Sequence, residues 1–531
     1  MTSNAACVVA NLDFENIQRA MTHRIFDRRT KEFRQYDSTL HLFEFACVDQ
    51  ETIIVHDPRR FRESGHSLAA EAPDLPKVDW SDLLYYFRPA SEEAASMALG
   101  ADAPPTNGSS PRSSLVMGRL LPEYGKLDVR LAAPEEVQAR PTFSSCTVPL
   151  LVTTLWPNTL CEWFTRVPPA LMHLLHHGIL SKDLTILLHT PLKLPLKAFN
   201  VGTMRPFSNY EPVAFSEFSA RRPASHPSKS TYERTHVRCF RRFLVWKANR
   251  DAYRGKLPLT GKVVSNYYRP HFGLAPSFWS AAATALRSPV MPRLRVLIEQ
   301  RAGAASRQLL RFDALIETCD ASAREAEGRG AGADGGFSFE CRGFSFGSQP
   351  FVHELAVLDQ TDVLVATHGS AEMNAVFMPD ASSVVEVRGN NGTKMYANNW
   401  HPSIVAESKF GYLFWAIIVQ DPTLVAESRL ETQGGFYADY ARSWKSHMFK
   451  KRDQNVELRW EHLAPVLGEI AALNRSKVLY RKLFGTGLQF FSSEKTKGVV
   501  RARPWPGPYV CTSVLPGRVC EGGVTPCPIL P

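Results

Sequence analysis

Several signatures are missing from this chain of 531 residues. It contains no Asp-x-Asp, the acidic pair that commonly holds a divalent ion against phosphate oxygens. Its ten cysteines, from Cys7 to Cys527, include no Cys-x-x-Cys pair, which argues against a zinc cluster. Disulfides remain open, but spacing alone fixes no pairing. Long apolar runs are also lacking. The longest, Phe410 to Val419, is ten residues, too short to cross a bilayer, and reads as a buried strand. The start, Met-Thr-Ser-Asn-Ala-Ala-Cys, has neither a basic n-region nor an apolar h-region, and taken alone it predicts a cytosolic protein. There is no internal repeat, and no basic stripe interleaved with aromatics of the kind that follows nucleic acid.

What remains is ordinarily globular: 44% apolar and 21% charged residues. The length exceeds one ordinary core, so two domains are expected. A net charge of +10 suits an acidic partner such as a nucleotide sugar. The densest basic cluster, Arg238, Arg241, Arg242, Lys247 and Arg250, reads as a solvated helix face. Asn107-Gly-Ser, Asn391-Gly-Thr and Asn474-Arg-Ser are glycosylation sequons, a mild pointer to the secretory route.

Residues 1–290 read as a first domain, with loops at 92–114 and 219–236 and a helix carrying Leu171, Leu174 and Leu175 on one face. A Pro-broken stretch near 288–293 marks the boundary. Residues 291–425 form a second domain, interrupted by a Gly-rich loop at 327–336. Residues 426–490 are helical in pattern and suit helices that pack back toward the first domain. Residues 491–531, dense toward their end in Pro, Gly and Cys, read as an unfolded tail.

The most informative stretch runs from Asp362 to Val387. Val363 to Ala366 is an apolar strand, His368-Gly369-Ser370 a turn, Ala371 to Phe377 a helix, and Val384 to Val387 a second strand. A buried strand that delivers a glycine turn into a helix is how α/β proteins build an anion site, because the first helical N–H groups point at the ligand. Gly369 permits close backbone approach, and His368 can offer a ring N–H. Upstream, the strand Leu294 to Ile298 precedes Arg301 and Arg307, then a helix from about Gln308 to Cys319. Guanidinium groups at 301 and 307 suit bidentate contact with a diphosphate.

The order Asp-hydrophobic-His-Gly-small-x-x-x-Asn-x-x-Phe-x-Pro, closed by Val-Val-Glu, resembles the signature of glycosyltransferase family 61. That family includes the plant β-1,2-xylosyltransferases, the extracellular protein O-GlcNAc transferase and the protein O-mannose β-1,4-N-acetylglucosaminyltransferase. The resemblance implies an α/β, GT-B-like protein with two Rossmann-like domains facing a cleft. It implies a metal-independent and inverting glycosyltransferase that moves a sugar, N-acetylglucosamine or xylose first, from a UDP-sugar to a hydroxyl of a glycan or glycoprotein. No cofactor and no metal are expected. Donor contacts are expected from Arg301, Arg307, His368, Gly369, Ser370, Asn374 and Glu386, the last through ribose hydroxyls. The family's location implies the Golgi or endoplasmic reticulum lumen, reached through an N-terminal membrane anchor expected to be missing from this chain. No nucleic acid partner is expected.

Three positions depart from the family. Glu372 lies in the middle of its His-Gly motif, where a carboxylate in the first helical turn would repel a bound diphosphate. Arg311 stands where Asn is usual. Cys161 stands where His is usual in Asn-x-x-His, which leaves Glu162 as substitute general base. The departures keep open an inactive nucleotide- or glycan-binding member of the same fold. Gly343-Phe344-Ser345-Phe346-Gly347 keeps open a third reading, a serine hydrolase using Ser345.

Overall fold

The computed structural model describes residues 23–27, 32–36, 39–56, 62–63, 85–89, 115–119, 127–154, 159–189, 196–219, 237–248, 253–274, 277–280, 293–301, 306–328, 338–389, 411–419, 421–426, 454–483, 489–492 and 499–503. The chain is a mixed α/β protein with parallel sheets and helices, and it divides into two compact units, Met1–Tyr253 and Arg254–Pro531. The expected loops at 92–114 and 219–236 and the Gly-rich stretch at 327–336 fall almost wholly outside the described residues.

The first unit is built on an eight-stranded sheet. Its main strands are β1 (Thr39–Asp49), β2 (Thr52–Val55), β3 (Asp128–Leu131), β4 (Val148–Thr154), β5 (Leu184–Leu188), β6 (Val213–Ala214) and β7 (Arg238–Ala248). They lie in the order β6-β5-β4-β7-β1-β2-β3. Strands β4 to β7 are mutually parallel where they pair, while β1 runs antiparallel to both β7 and β2. Every residue of β5 is buried, which is why it reads Leu-Thr-Ile-Leu-Leu rather than alternating. Phe43, Phe243, Val245, Leu151 and Leu187 meet in the core. Cys47 and Cys239 face each other across β1 and β7 and form a disulfide. The basic cluster at 238–250 therefore begins on a strand and not on a helix. Its Arg238 lies over the ring of Phe218, 4.7 Å from the centroid. Helices α1 (Leu160–Arg166) and α2 (Pro168–His176) follow β4, and α2 buries Leu171 and Leu174 as its spacing predicts.

The second unit opens with α3 (Leu257–Tyr268) and continues through β8 (Arg293–Glu299), α4 (Phe312–Gly328), β9 (Ser338–Phe344), α5 (Phe351–Asp359), β10 (Val363–Thr367), β11 (Ser383–Arg388), β12 (Leu413–Val419), α6 (Trp460–Leu473), β13 (Gln489–Ser492) and β14 (Val499–Arg503). Strands β8 to β12 are parallel and lie in the order β9-β8-β10-β11-β12, with β14 and β13 added antiparallel at the edge. Counted along the chain, the parallel run is 2-1-3-4-5, and its order reverses between β8 and β10. Crevices at the carboxyl ends of strands open at such a reversal. Strand β10 is buried throughout. Its start is tied down by Asp362, which pairs with Arg295 at 3.1 Å and with Arg475 beyond α6. A second disulfide, Cys319–Cys341, joins α4 to β9.

Four expectations shift. The unit boundary comes at 253/254, ahead of the Pro-broken stretch, because α3 packs against the turn after β10. At Gly261 a Cβ would stand 2.1 Å from the carbonyl oxygen of Val376, so only glycine allows this approach. Helix α4 starts at Phe312 rather than Gln308, because Leu309–Leu310 is a short strand paired with Asn455–Glu457. Residues 489–492 and 499–503 pair as strands instead of joining the unfolded tail. The helix expected after His368 is a 3-10 helix, Ser370–Phe377. Among the described residues no helix is long and apolar enough to cross a membrane.

Candidate functional site

The candidate site lies at the carboxyl ends of β8 and β10, where the strand order reverses. Ile298 pairs with Val365 in the parallel register, and continuing that register brings position 301 level with 368. Arg301 and Arg307 come from the loop after β8, and His368 to Ser370 from the turn after β10. Gly369 joins them. It has φ 158° and ψ −166°, a region that is essentially glycine's. A Cβ built there would lie 3.1 Å from Nη1 of Arg307 and 3.3 Å from Nη1 of Arg301. Two guanidinium groups thus converge over one bare backbone position.

Arg307 is held firmly. Its Nη1 donates to the carbonyl of His368 at 3.1 Å, and its own carbonyl accepts from the Thr367 hydroxyl at 2.7 Å. Its φ of 58° is left-handed, a strained setting for arginine of a sort that gathers at functional sites. Arg301 is looser. Its Nε lies 3.7 Å from Glu299 Oε1, and among the described residues its buried Nη1 has no hydrogen-bond acceptor. An unsatisfied guanidinium N–H beside a glycine turn is the donor an incoming oxyanion needs.

Beneath these cations lies a buried network. Glu386 is wholly buried, with one oxygen on Nδ1 of His368 and the other 2.6 Å from Arg388. Burial alone would raise its pKa, but Arg388 and His368 outweigh that and hold it well below the carboxylate range. Glu386, expected to contact ribose, is instead turned inward, with both oxygens engaged by His368 and Arg388, and it orients His368. Burial, helped by Arg388 and Arg307, lowers the pKa of His368 despite Glu386. With Glu386 ionised, the neutral ring carries its proton on Nδ1.

Glu372 is also wholly buried. It accepts the Gly369 N–H at 2.7 Å and lies 3.8 Å from His368 Nδ1. Desolvation and the neighbouring Glu386 push its pKa well above the usual carboxylate range, which favours the uncharged acid. That shift weakens the expected repulsion of a diphosphate by Glu372. Asn374 is 2% exposed; its expected ligand contact is corrected to a place in the packing of the 3-10 helix. Ser370 and Gly369 stay partly open.

Glu299 was not evident from sequence. It ends β8, is 6% exposed, and its Oε2 has no hydrogen-bond partner among the described residues. Burial pushes its pKa up to about 7 against the pull of Arg301 and Arg307. Arg388 was missed as well, although its spacing of two from Glu386 on a strand puts both on one face.

Three side chains, His368, Glu372 and Glu386, have ligand atoms within 4.8 Å of one another and could hold a metal ion. Their oxygens and Nδ1 already serve Arg388, each other and the Gly369 amide. A divalent cation would have to displace a guanidinium and sit among several, which the local charge opposes. The donor set suits an anion above it better than a cation within it.

In the first unit, Glu162 pairs with Arg166 one turn along α1 at 2.6 Å, and a carboxylate so paired is a weakened base. Arg311 has φ 50°, a left-handed setting that asparagine tolerates better than arginine. Ser345 donates its hydroxyl to the carbonyl of Gln300 at 2.6 Å, and α5 begins only at Phe351. A nucleophile elbow needs the helix directly after the serine, so this loop does not have that form. No protein-family model matches the chain, and a search of curated proteins finds no match.

Proposed function

We propose that the second unit binds the diphosphate of a nucleotide sugar over Gly369, and that the protein is a metal-independent glycosyltransferase of GT-B-like architecture. The observation that carries this reading is the meeting of the Arg301 and Arg307 guanidinium groups at Gly369, where the sheet order reverses. Transfer leaves a nucleoside diphosphate whose growing negative charge must be stabilised, and preformed cations do this without reorganisation. His368, held by Glu386, and the partly open turn at Ser370 complete the cradle. The parallel orders 3-2-1-4 and 2-1-3-4-5 of the two units are those of doubly wound nucleotide-binding folds, which agrees with two Rossmann-like domains. The donor is a UDP-sugar, with N-acetylglucosamine or xylose first, and the acceptor a hydroxyl on a glycan or glycoprotein. Inversion requires a single base, for which Glu162 is a weak candidate while paired with Arg166. Disulfides such as Cys47–Cys239 and Cys319–Cys341 fit an oxidising compartment such as the Golgi or endoplasmic reticulum lumen.

The test is calorimetric binding of UDP, ADP and GDP with and without EDTA, followed by release of UDP from candidate UDP-sugars. UDP binding that survives EDTA, with turnover, supports the reading. UDP binding without turnover on any donor favours the inactive binding protein. No nucleotide binding removes both.

A further inference from the structure

We propose that the diphosphate site takes up protons as it binds its ligand, on Glu299 and on the ring of His368, so that binding weakens as pH rises. This rests on the site having the anionic ligand argued above, and it adds what the buried groups beneath the arginines do.

Glu299 stands at the end of β8 under Arg301, 3.7 Å from its Nε, with one buried oxygen lacking any hydrogen bond among the described residues. The positive charges of Arg301 and Arg307 are what favour its ionised form. A diphosphate that engages both guanidinium groups cancels that field and brings its own negative charge nearby. The carboxylate then loses its support and is driven to the acid. The proton comes from solvent and sits on Glu299, and no other bond changes.

His368 responds in the same sense. Its Nδ1 faces the Glu386 carboxylate, so the second proton of an imidazolium belongs on Nε2. Arg307 and Arg388 oppose that charge. An anion above the ring offsets them, and the imidazolium then lies between two negative groups. The remaining charged and titratable groups around the pair are Glu372, from the 3-10 helix, and Arg388, on β11. A nearby anion can only favour the acid form of Glu372 further, in the direction burial already pushes it, and Arg388 stays charged throughout. Both responsive groups therefore move protons inward, and none in the network moves one out.

The test is titration calorimetry of the full chain with UDP-N-acetylglucosamine, whose diphosphate diester keeps its charge across the neutral range. UDP, as second probe, reports only whether the site binds. Each titration is run in PIPES and in Tris, which differ in heat of ionisation, at about pH 6, 7 and 8. We expect uptake of about half to one proton near pH 7, and affinity falling about three- to tenfold per pH unit. Glu299→Gln is expected to lower the uptake and flatten the pH profile. Should Glu299→Gln not melt cooperatively, His368→Asn and the wild-type buffer comparison give the same reading. Equal heats in both buffers, with an affinity unchanged across pH, overturn the proton linkage and leave the diphosphate site standing. Absence of binding by both probes at every pH overturns the site and the linkage together.

Discussion

The hydroxyl of Thr367 donates to the backbone carbonyl of Arg307 at 2.7 Å. The last residue of β10 thus pins the loop that leaves β8, and a left-handed arginine is held where chain entropy would not leave it. Thr367 is 2% exposed, so Thr367→Val keeps shape and removes only this bond. We expect a loss of about 1 kcal/mol in urea unfolding and several-fold weaker UDP binding. Equal affinity in calorimetry would mean that the loop holds its place without Thr367.

Arg301 and Arg307 are held unequally, since only Arg307 is tied to the His368 carbonyl. Each guanidinium contact to phosphate is worth about 1.5–3 kcal/mol. Arg301→Ala is therefore expected to weaken UDP binding roughly 10- to 100-fold with little change in melting temperature. Arg307→Ala should do the same and lower the melting temperature as well. Arg301→Lys should restore only part of the affinity, because an ammonium cannot contact two oxygens in fork geometry. If binding is unmoved in all three, the cradle is not the diphosphate site.

Gly369 is required both by its backbone angles and by the space over it. Gly369→Ala adds a methyl group against two arginine termini. We expect destabilisation of about 1–3 kcal/mol and a larger loss of UDP affinity than either effect gives alone. Chemical denaturation and calorimetry on one preparation separate the two quantities.

Burial and the neighbouring Glu386 favour the uncharged form of Glu372. Glu372→Gln should therefore leave UDP affinity within about threefold, since it replaces a group already biased toward neutrality. Glu372→Leu leaves the Gly369 amide without an acceptor and should cost about 1–3 kcal/mol of stability. Tighter UDP binding by the glutamine variant would show that the carboxylate is ionised after all.

Glu354, in the first turn of α5, accepts the Gly347 amide and also that of Gln349, and burial pushes its pKa up to about 7 from 4.5. A carboxyl raised in the folded state binds its proton more tightly there than in the unfolded chain. Its contribution is complete below 4.5 and is lost as pH rises through about 7. Glu299 acts with the same sign over the same window. Stability should fall by on the order of 2 kcal/mol per group between mildly acidic and mildly alkaline pH. Glu354→Gln should flatten part of that slope in urea midpoints measured at about pH 5, 6, 7 and 8.

Much of this site is legible in the chain because it is local. Val363 to Ala366 is too apolar to be anything but interior, and a glycine after a histidine at the strand's end marks a turn. The arginines at 301 and 307 lie within one loop of a strand that is equally plain. What sequence does not carry is side-chain direction. Glu386 reads as a strand-end acid that faces a ligand, whereas its neighbours in space, His368 and Arg388, turn it inward. Glu372 reads as a charge because its desolvation depends on the packing of the whole 3-10 helix. The short strand Leu309–Leu310 takes two apolar residues from a helix because its partner, Asn455–Glu457, is far along the chain. The reversal of strand order, which fixes where the crevice opens, is likewise a matter of pairing rather than of composition.

The approach of Gly261 to Val376 bears on how the protein can be cut. A fragment starting at Arg254 keeps the wedge that seals the back of the turn bearing His368. One starting at 291 strips it away and leaves the buried side of Val376 and Phe377 facing water. Laboratory dissection should therefore respect a seam that lies inside what looks, in the primary structure, like the other half of the molecule.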